Sequence, residues 1–95
     1  MPIFAVEYSY GAPGSTQAKN YERHHVPHLD WVKSLYEANT IHLAGRYADL
    51  SGALFVVEAE DEIAVRELFA GDPFATQNVL TGVRVLPWSV RFGWL

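Results

Sequence analysis

The 95-residue sequence contains no cysteine, which excludes disulfides, thiolate zinc sites, iron–sulfur clusters and a cysteine nucleophile. Positive charge is scarce. Seven Lys plus Arg against eleven Asp plus Glu leave a formal net charge of -4, the wrong sign for a chain that gains affinity by neutralising phosphates. Nucleic acid is not an expected partner. Long apolar runs are also missing: the longest strongly apolar stretch, Ala53 to Val57, is far short of the ~20 residues that span a bilayer. No basic residue precedes Lys19, and Glu7 interrupts the first apolar stretch, which is unlike a secretory leader. A soluble, cytoplasmic protein with no membrane partner is therefore expected. Repeats, linkers and low-complexity segments are lacking too, so residues 1–95 are read as a single domain. What the chain has is core material. Hydrophobic residues make up 49%, with five Phe, five Tyr and three Trp, a composition that folds rather than stays disordered.

Pro2–Tyr10 is apolar, rich in β-branched and aromatic residues, and ends at the turn formers GAPGST, so it reads as a strand. Within Thr16–Asn39 the second half is helical, because Leu29, Val32, Leu35 and Tyr36 recur at helical spacing while Asp30, Lys33 and Glu37 point away. Pro27 suits a first turn, or breaks the helix from the Thr16–Arg23 stretch. Thr40–Tyr47 and Ala53–Ala59 flank ADLSG and read as a hairpin. Asp61 then caps EIAVRELF, where Ile63, Leu68 and Phe69 form the apolar stripe and Gly71 supplies the stop. DPFATQNVL contains a short helical turn, and Gly82–Trp94 is a long final strand interrupted by Pro87. The order β-α-β-β-α-β is the ferredoxin-like split βαβ: an α+β fold with a four-stranded antiparallel sheet and both helices on one face. Both sheet faces are apolar over much of their length: Phe4, Val6, Tyr8 and Tyr10 oppose Ile3 and Ala5, and Leu54 and Val56 oppose Phe55 and Val57. The simplest cover for the open face is a second copy of the chain, which points to a homodimer.

Three of the four histidines lie in Arg23-His24-His25-Val26-Pro27-His28. His28 stands at i, i+4 and i+7 with Val32 and Leu35, so its ring faces the sheet, either as a core histidine satisfied by one hydrogen bond or as a group for chemistry. A metal site is not expected, since HExxH is absent and no carboxylate is placed to complete a His24–His28 pair. Asp72, followed by Pro73, is a natural start for a short helix, and a capping carboxylate keeps lone pairs free for an imidazole. Gly11-Ala12-Pro13-Gly14-Ser15 lacks the phosphate-loop lysine, and no serine lies in GxSxG. Glu7 either borders a pocket or reaches solvent. The aromatics Phe4, Tyr8, Trp31, Tyr47, Phe74 and Trp88 are core and interface packing first, and Tyr8 and Phe74 are assigned in addition to the lining of a substrate pocket.

His25-Val26-Pro27-His28-Leu29-Asp30-Trp31-Val32, Leu43-Ala44-Gly45, Glu58-Ala59-Glu60-Asp61-Glu62, Gly71-Asp72-Pro73-Phe74 and Val83-Arg84-Val85-Leu86-Pro87-Trp88 together resemble the YCII-related (YciI-like) family, in order and over nearly the whole chain. The resemblance implies a dimeric α+β barrel, with an active-site pocket built on one histidine of the first helix and the aspartate of the Asp-Pro pair. These are His28 and Asp72. Two positions depart from the family pattern: Gly45-Arg46 replaces a glycine-proline pair, and His25 stands where an arginine is common. Arg46 and His25 are therefore expected to contact a polar or anionic part of the substrate. The function expected is that of a small cofactor-free enzyme, a lyase or isomerase in which His28 exchanges protons with a small cyclic or aromatic compound and Asp72 orients the ring. Dehydrochlorination of a chlorinated hydroquinone is known in the resembling family. The alternative is a non-catalytic module that binds a small metabolite or a partner in the same cleft.

Overall fold

A computed structural model of the chain describes residues 1–93. Its strands β1 (Ile3–Tyr10), β2 (Ile41–Arg46), β3 (Gly52–Glu58) and β4 (Leu80–Pro87) form one antiparallel sheet in the order β2-β3-β1-β4. The helices are α1 (Thr16–Glu37), α2 (Glu62–Phe69) and the single turn α3 (Pro73–Thr76). This is the α+β, ferredoxin-like order, with α3 inserted ahead of the last strand. Strand alternation and register place Phe4, Val6 and Tyr8 of β1 beside Val57, Phe55 and Ala53 of β3 and Val85 of β4. With Ile41, Val65, Phe69, Phe74 and Val79 these residues form the core beneath the helices.

Ser15 starts α1 by accepting the Ala18 N–H at 3.1 Å. The helix then runs without a break through Pro27, which removes one backbone bond to the Arg23 carbonyl one turn before His28. In α2, Asp61 caps the Ala64 N–H at 2.8 Å and sets a phase that buries Val65 and Phe69. Ile63, expected in the apolar stripe, is 68% exposed, because it lies two residues from Val65 and so on the opposite side of the helix. Gly71 also differs from expectation. It does not take a left-handed conformation, and α2 closes on Ala70 in a right-handed one; the chain turns because Pro73 commits Asp72 to an extended backbone.

β4 spans Leu80–Pro87 rather than Gly82–Trp94. Pro87 ends the ladder opposite Phe4 instead of interrupting it, on an edge strand where a missing N–H is tolerated. The expected strand end at Trp94 lies outside the described residues.

The face away from the helices carries Ile3, Ala5, Leu43, Leu54, Val56 and Leu86, of which Leu43 is 60% exposed. Glu7 sits in the middle of this face. Its carboxylate accepts the Tyr47 hydroxyl at 2.6 Å and the Arg84 guanidinium at 3.2 Å. The Tyr47 bond, and secondarily Arg84, hold Glu7 below the usual carboxylate pKa, against an opposing effect of partial burial.

Two expected outcomes follow. In a side-chain carbon NMR titration, Glu7 titrates below ordinary glutamates, and Tyr47→Phe moves its midpoint upward. Any stability that this contact contributes is in place above the ordinary carboxylate range and lost as the pH falls through the lowered value. At Gly52, a Cβ would overlap the Tyr8 carbonyl oxygen of the paired strand, so Gly52→Ala has to push β1 and β3 apart. In urea denaturation it should cost about 1–3 kcal/mol.

Candidate functional site

Helical spacing places His28 on the same side of α1 as Val32 and Leu35, which pack on the core. The ring is buried, with 8% of the side chain exposed. Its lower face stacks on Phe74 at 3.8 Å between ring centres and 2° between planes, while Phe55 meets it edge-on at 6.2 Å. Nδ1 lies 2.8 and 2.9 Å from the two carboxylate oxygens of Asp72. With Nδ1–H donating to a carboxylate, Nε2 is the ring nitrogen left free for an external partner.

Asp72 has no exposure to solvent, so its charge has to be satisfied by the protein. Pro73 at the first position of α3 orients the carboxylate over the open end of that turn, where Oδ1 accepts the Phe74 N–H at 3.0 Å. Oδ2 accepts the Tyr8 hydroxyl at 2.6 Å, and His28 supplies the remaining bond. Burial, with a further contribution from the Asp72 charge, raises the Tyr8 pKa well above that of a free phenol. Tyr8 therefore remains a hydrogen donor to Asp72 throughout the neutral range.

Tyr8 and Phe74, expected to line a substrate pocket, occupy a different place. Tyr8 is 1% and Phe74 0% exposed, and neither reaches the cleft wall. They support the dyad from behind, Tyr8 through the carboxylate and Phe74 through the face of the imidazole. One signal for the role of Tyr8 was present in its position: a tyrosine on the same strand face as Phe4 and Val6 enters the core, and a core hydroxyl needs a partner.

His28 forms part of the wall of a cavity of about 180 Å³ between α1, β2 and β3, which it shares with Tyr10, Tyr21, His25, Arg46 and Phe55. His25 and Arg46 are thus brought to the same cleft as His28. His25 donates from Nδ1 to the Glu22 carbonyl at 3.2 Å and stacks parallel to Tyr21. Arg46 donates to the Tyr21 hydroxyl at 2.8 Å. Tyr10, Tyr21 and Arg46 also wall a second, neighbouring lobe of about 580 Å³, lined otherwise by the β1–α1 and β2–β3 loops and the first turns of α1. No local motif marks Tyr10 and Tyr21 as site residues; they meet, with ring centres 5.1 Å apart, only through the packing of α1 against β1. Among the described residues no three His, Asp or Glu side chains form a group that could hold a metal, and no helix is long and apolar enough to cross a membrane. The arrangement provides one imidazole nitrogen with a fixed tautomer, backed by a buried carboxylate, at the wall of a cleft of small-molecule size.

A search of curated proteins gives no match. Among solved structures, 5-chloro-2-hydroxyhydroquinone dehydrochlorinase (TftG) from Burkholderia phenoliruptrix AC1100, in complex with 2,5-dihydroxybenzoquinone, shares the fold with a TM-score of 0.75 at 22% sequence identity, covering 92% of this chain and 93% of its own. The YCII-related domain matches residues 3–89. That span takes in every strand, all three helices and both members of the buried pair, and the chain belongs to the YCII-related family.

Proposed function

We propose that the protein is a cofactor-free enzyme in which His28 Nε2 is the general base, and then the general acid, for elimination or isomerisation of a small cyclic or aromatic compound. The observation that carries this reading is the buried pair: Asp72 occupies Nδ1 at 2.8 Å while the opposite nitrogen is left for a molecule in the cleft. In an elimination, Nε2 takes a proton from the substrate, the electron pair released forms a new double bond, and the leaving group departs with the electrons of its own bond. The sum is loss of HX, and it needs no oxidant. In an isomerisation the same nitrogen returns the proton at another atom. Asp72 keeps the imidazole in the Nδ1–H tautomer and stabilises the imidazolium that forms. Phe74, parallel to the ring, places its negative face against that cation. The fold shared with a dehydrochlorinase favours a halogenated hydroquinone or a related ring as the first compound to test.

Chloride release from chlorinated hydroquinones, followed with an ion-selective electrode, tests this reading. His28→Asn should lower kcat about 10²- to 10⁴-fold with the circular dichroism spectrum unchanged. Asp72→Asn should retain the α3 cap and show a smaller loss in kcat. Full turnover in His28→Asn would remove His28 from the chemistry. A panel of ring compounds that shifts the melting temperature without being consumed would assign the cleft to a metabolite-binding module.

We also propose that the apolar sheet face is covered by a second copy of the chain, closing a dimeric α+β barrel. Leu43 and Leu86, 60% and 42% exposed on that face, support it. Light scattering after size exclusion should give twice the 10.7 kDa chain mass, with an interface on the order of 1,600 Å². A 10.7 kDa species at micromolar concentration would overturn the dimer.

A further inference from the structure

The two lobes, which share Tyr10, Tyr21 and Arg46 in their walls, differ in charge. The smaller lobe, where His28 stands, is lined by Arg46, His25, Tyr10 and Tyr21 and by no carboxylate; the Asp72 charge is fully buried behind the imidazole. The larger lobe bears Glu22 and Asp49. Asp49 accepts the Ser51 N–H at 2.9 Å, and the side-chain and backbone hydrogen bonds of Ser51 keep it below the usual aspartate pKa and so ionised. A negatively charged group on a bound molecule is thus repelled from the wide lobe and attracted to the junction between the two, where Arg46 stands.

The donors at this junction are not exhausted by the protein. Arg46 uses one N–H on the Tyr21 oxygen, and a guanidinium carries five. No carboxylate lies within ion-pairing distance of Arg46 among the described residues. Tyr21 accepts in that bond, which leaves its own O–H proton free. Tyr10 lines both lobes, and its hydroxyl forms no hydrogen bond among the described residues; burial first, then the neighbouring Tyr21 and Asp72, raise its pKa against an opposing effect of Arg46, so it too is a donor at neutral pH. Ala44, Ala53 and Phe55 add apolar surface to the wall of the smaller lobe beside Arg46.

We propose that Arg46, Tyr21 and Tyr10 form an oxyanion subsite, and that the natural ligand is a small planar ring compound bearing one carboxylate or one ionised ring hydroxyl. The anion rests on Arg46 at the junction of the lobes, and the ring lies in the smaller lobe against His28. This rests on the reading of the cleft as a substrate site and adds the chemical class and the orientation of what it takes.

Equilibrium binding tests the subsite without requiring turnover. The first probe pair is 2,5-dihydroxybenzoate and the neutral 2,5-dihydroxybenzamide, measured by titration calorimetry at two salt concentrations. The acid should bind about tenfold more tightly, and the advantage should shrink with salt. Arg46→Met should abolish the advantage and Arg46→Lys retain part of it; residue 46 is exposed, so neither change threatens the fold. The second probe is 4-nitrophenol, whose absorbance reports its ionisation: bound to the protein its apparent pKa should fall, and in Arg46→Met it should return to the free value. A preference in the first probe pair identifies a carboxylate site, and a shift in the second a phenolate site. Equal affinity for acid and amide together with an unshifted nitrophenol would overturn the subsite. An inert His28 with anion binding intact would remove the proposed chemistry alone, whereas turnover without anion preference would remove the subsite alone.

Discussion

A carboxylate with no access to water is expensive unless the protein supplies the hydrogen bonds that water would have made, and the site is arranged around meeting that demand at Asp72. Three donors converge on it from three separate parts of the chain: the Tyr8 hydroxyl from β1, the Phe74 N–H from the start of α3 and the His28 ring from α1. Each is fixed by its own local chemistry. Strand alternation turns Tyr8 into the core, Pro73 opens the first turn of α3, and helical spacing turns His28 toward the sheet. No one of these elements can shift without leaving a buried charge short of a partner, so one ionic group ties the central strand, the long helix and the short helix together.

The same constraint explains why α3 exists. A chain could pass from α2 to β4 by any connection of suitable length, but a carboxylate aimed at an imidazole needs a backbone that holds it there. Asp72-Pro73 provides this with an extended residue followed by a helix start, and the first residue after the proline, Phe74, supplies both the capping N–H and the ring that stacks on His28. The turn therefore restrains the histidine by its edge and by its face. Gly52 serves the arrangement more remotely, by allowing β3 to approach the Tyr8 carbonyl closely.

Much of this was legible in the sequence, and the divisions follow from physics. His28 could be placed on the inward face because i, i+4 and i+7 spacing is a property of the helix itself, and Asp72 could be read as a cap because the proline restriction is local. That the two side chains meet is a long-range fact, 44 residues apart, and only the family resemblance carried it. Tyr8 and Phe74 could be recognised as aromatic residues near the site, yet whether a ring lines a cleft or lies behind it depends on a wall's thickness of packing that no local pattern encodes. Ile63 and Val65 are both apolar residues of one short helix, and the cap at Asp61 together with the position of the sheet decided which was buried. The apolar residues that continue beyond Pro87 extend the expected final strand, whereas the pairing with β1 ends at Pro87.

The buried pair also determines what charge the cleft can tolerate. With a neutral imidazole the pair carries one negative charge, held behind the ring and away from the cavity. In the proposed reaction Nε2 takes a proton and the pair becomes neutral overall, so proton transfer from a bound molecule would relieve charge in the core and deposit it on the ligand. A base of this kind works best where the wall facing the ligand is positive. That is the side on which Arg46 stands, while Glu22 and Asp49 line only the wider lobe. In the proposed reaction the buried carboxylate and the cation would act on one event: Asp72, bonded to Nδ1, would stabilise the proton after it arrives, and Arg46, in the wall of the same cavity, would stabilise the negative charge left by its departure.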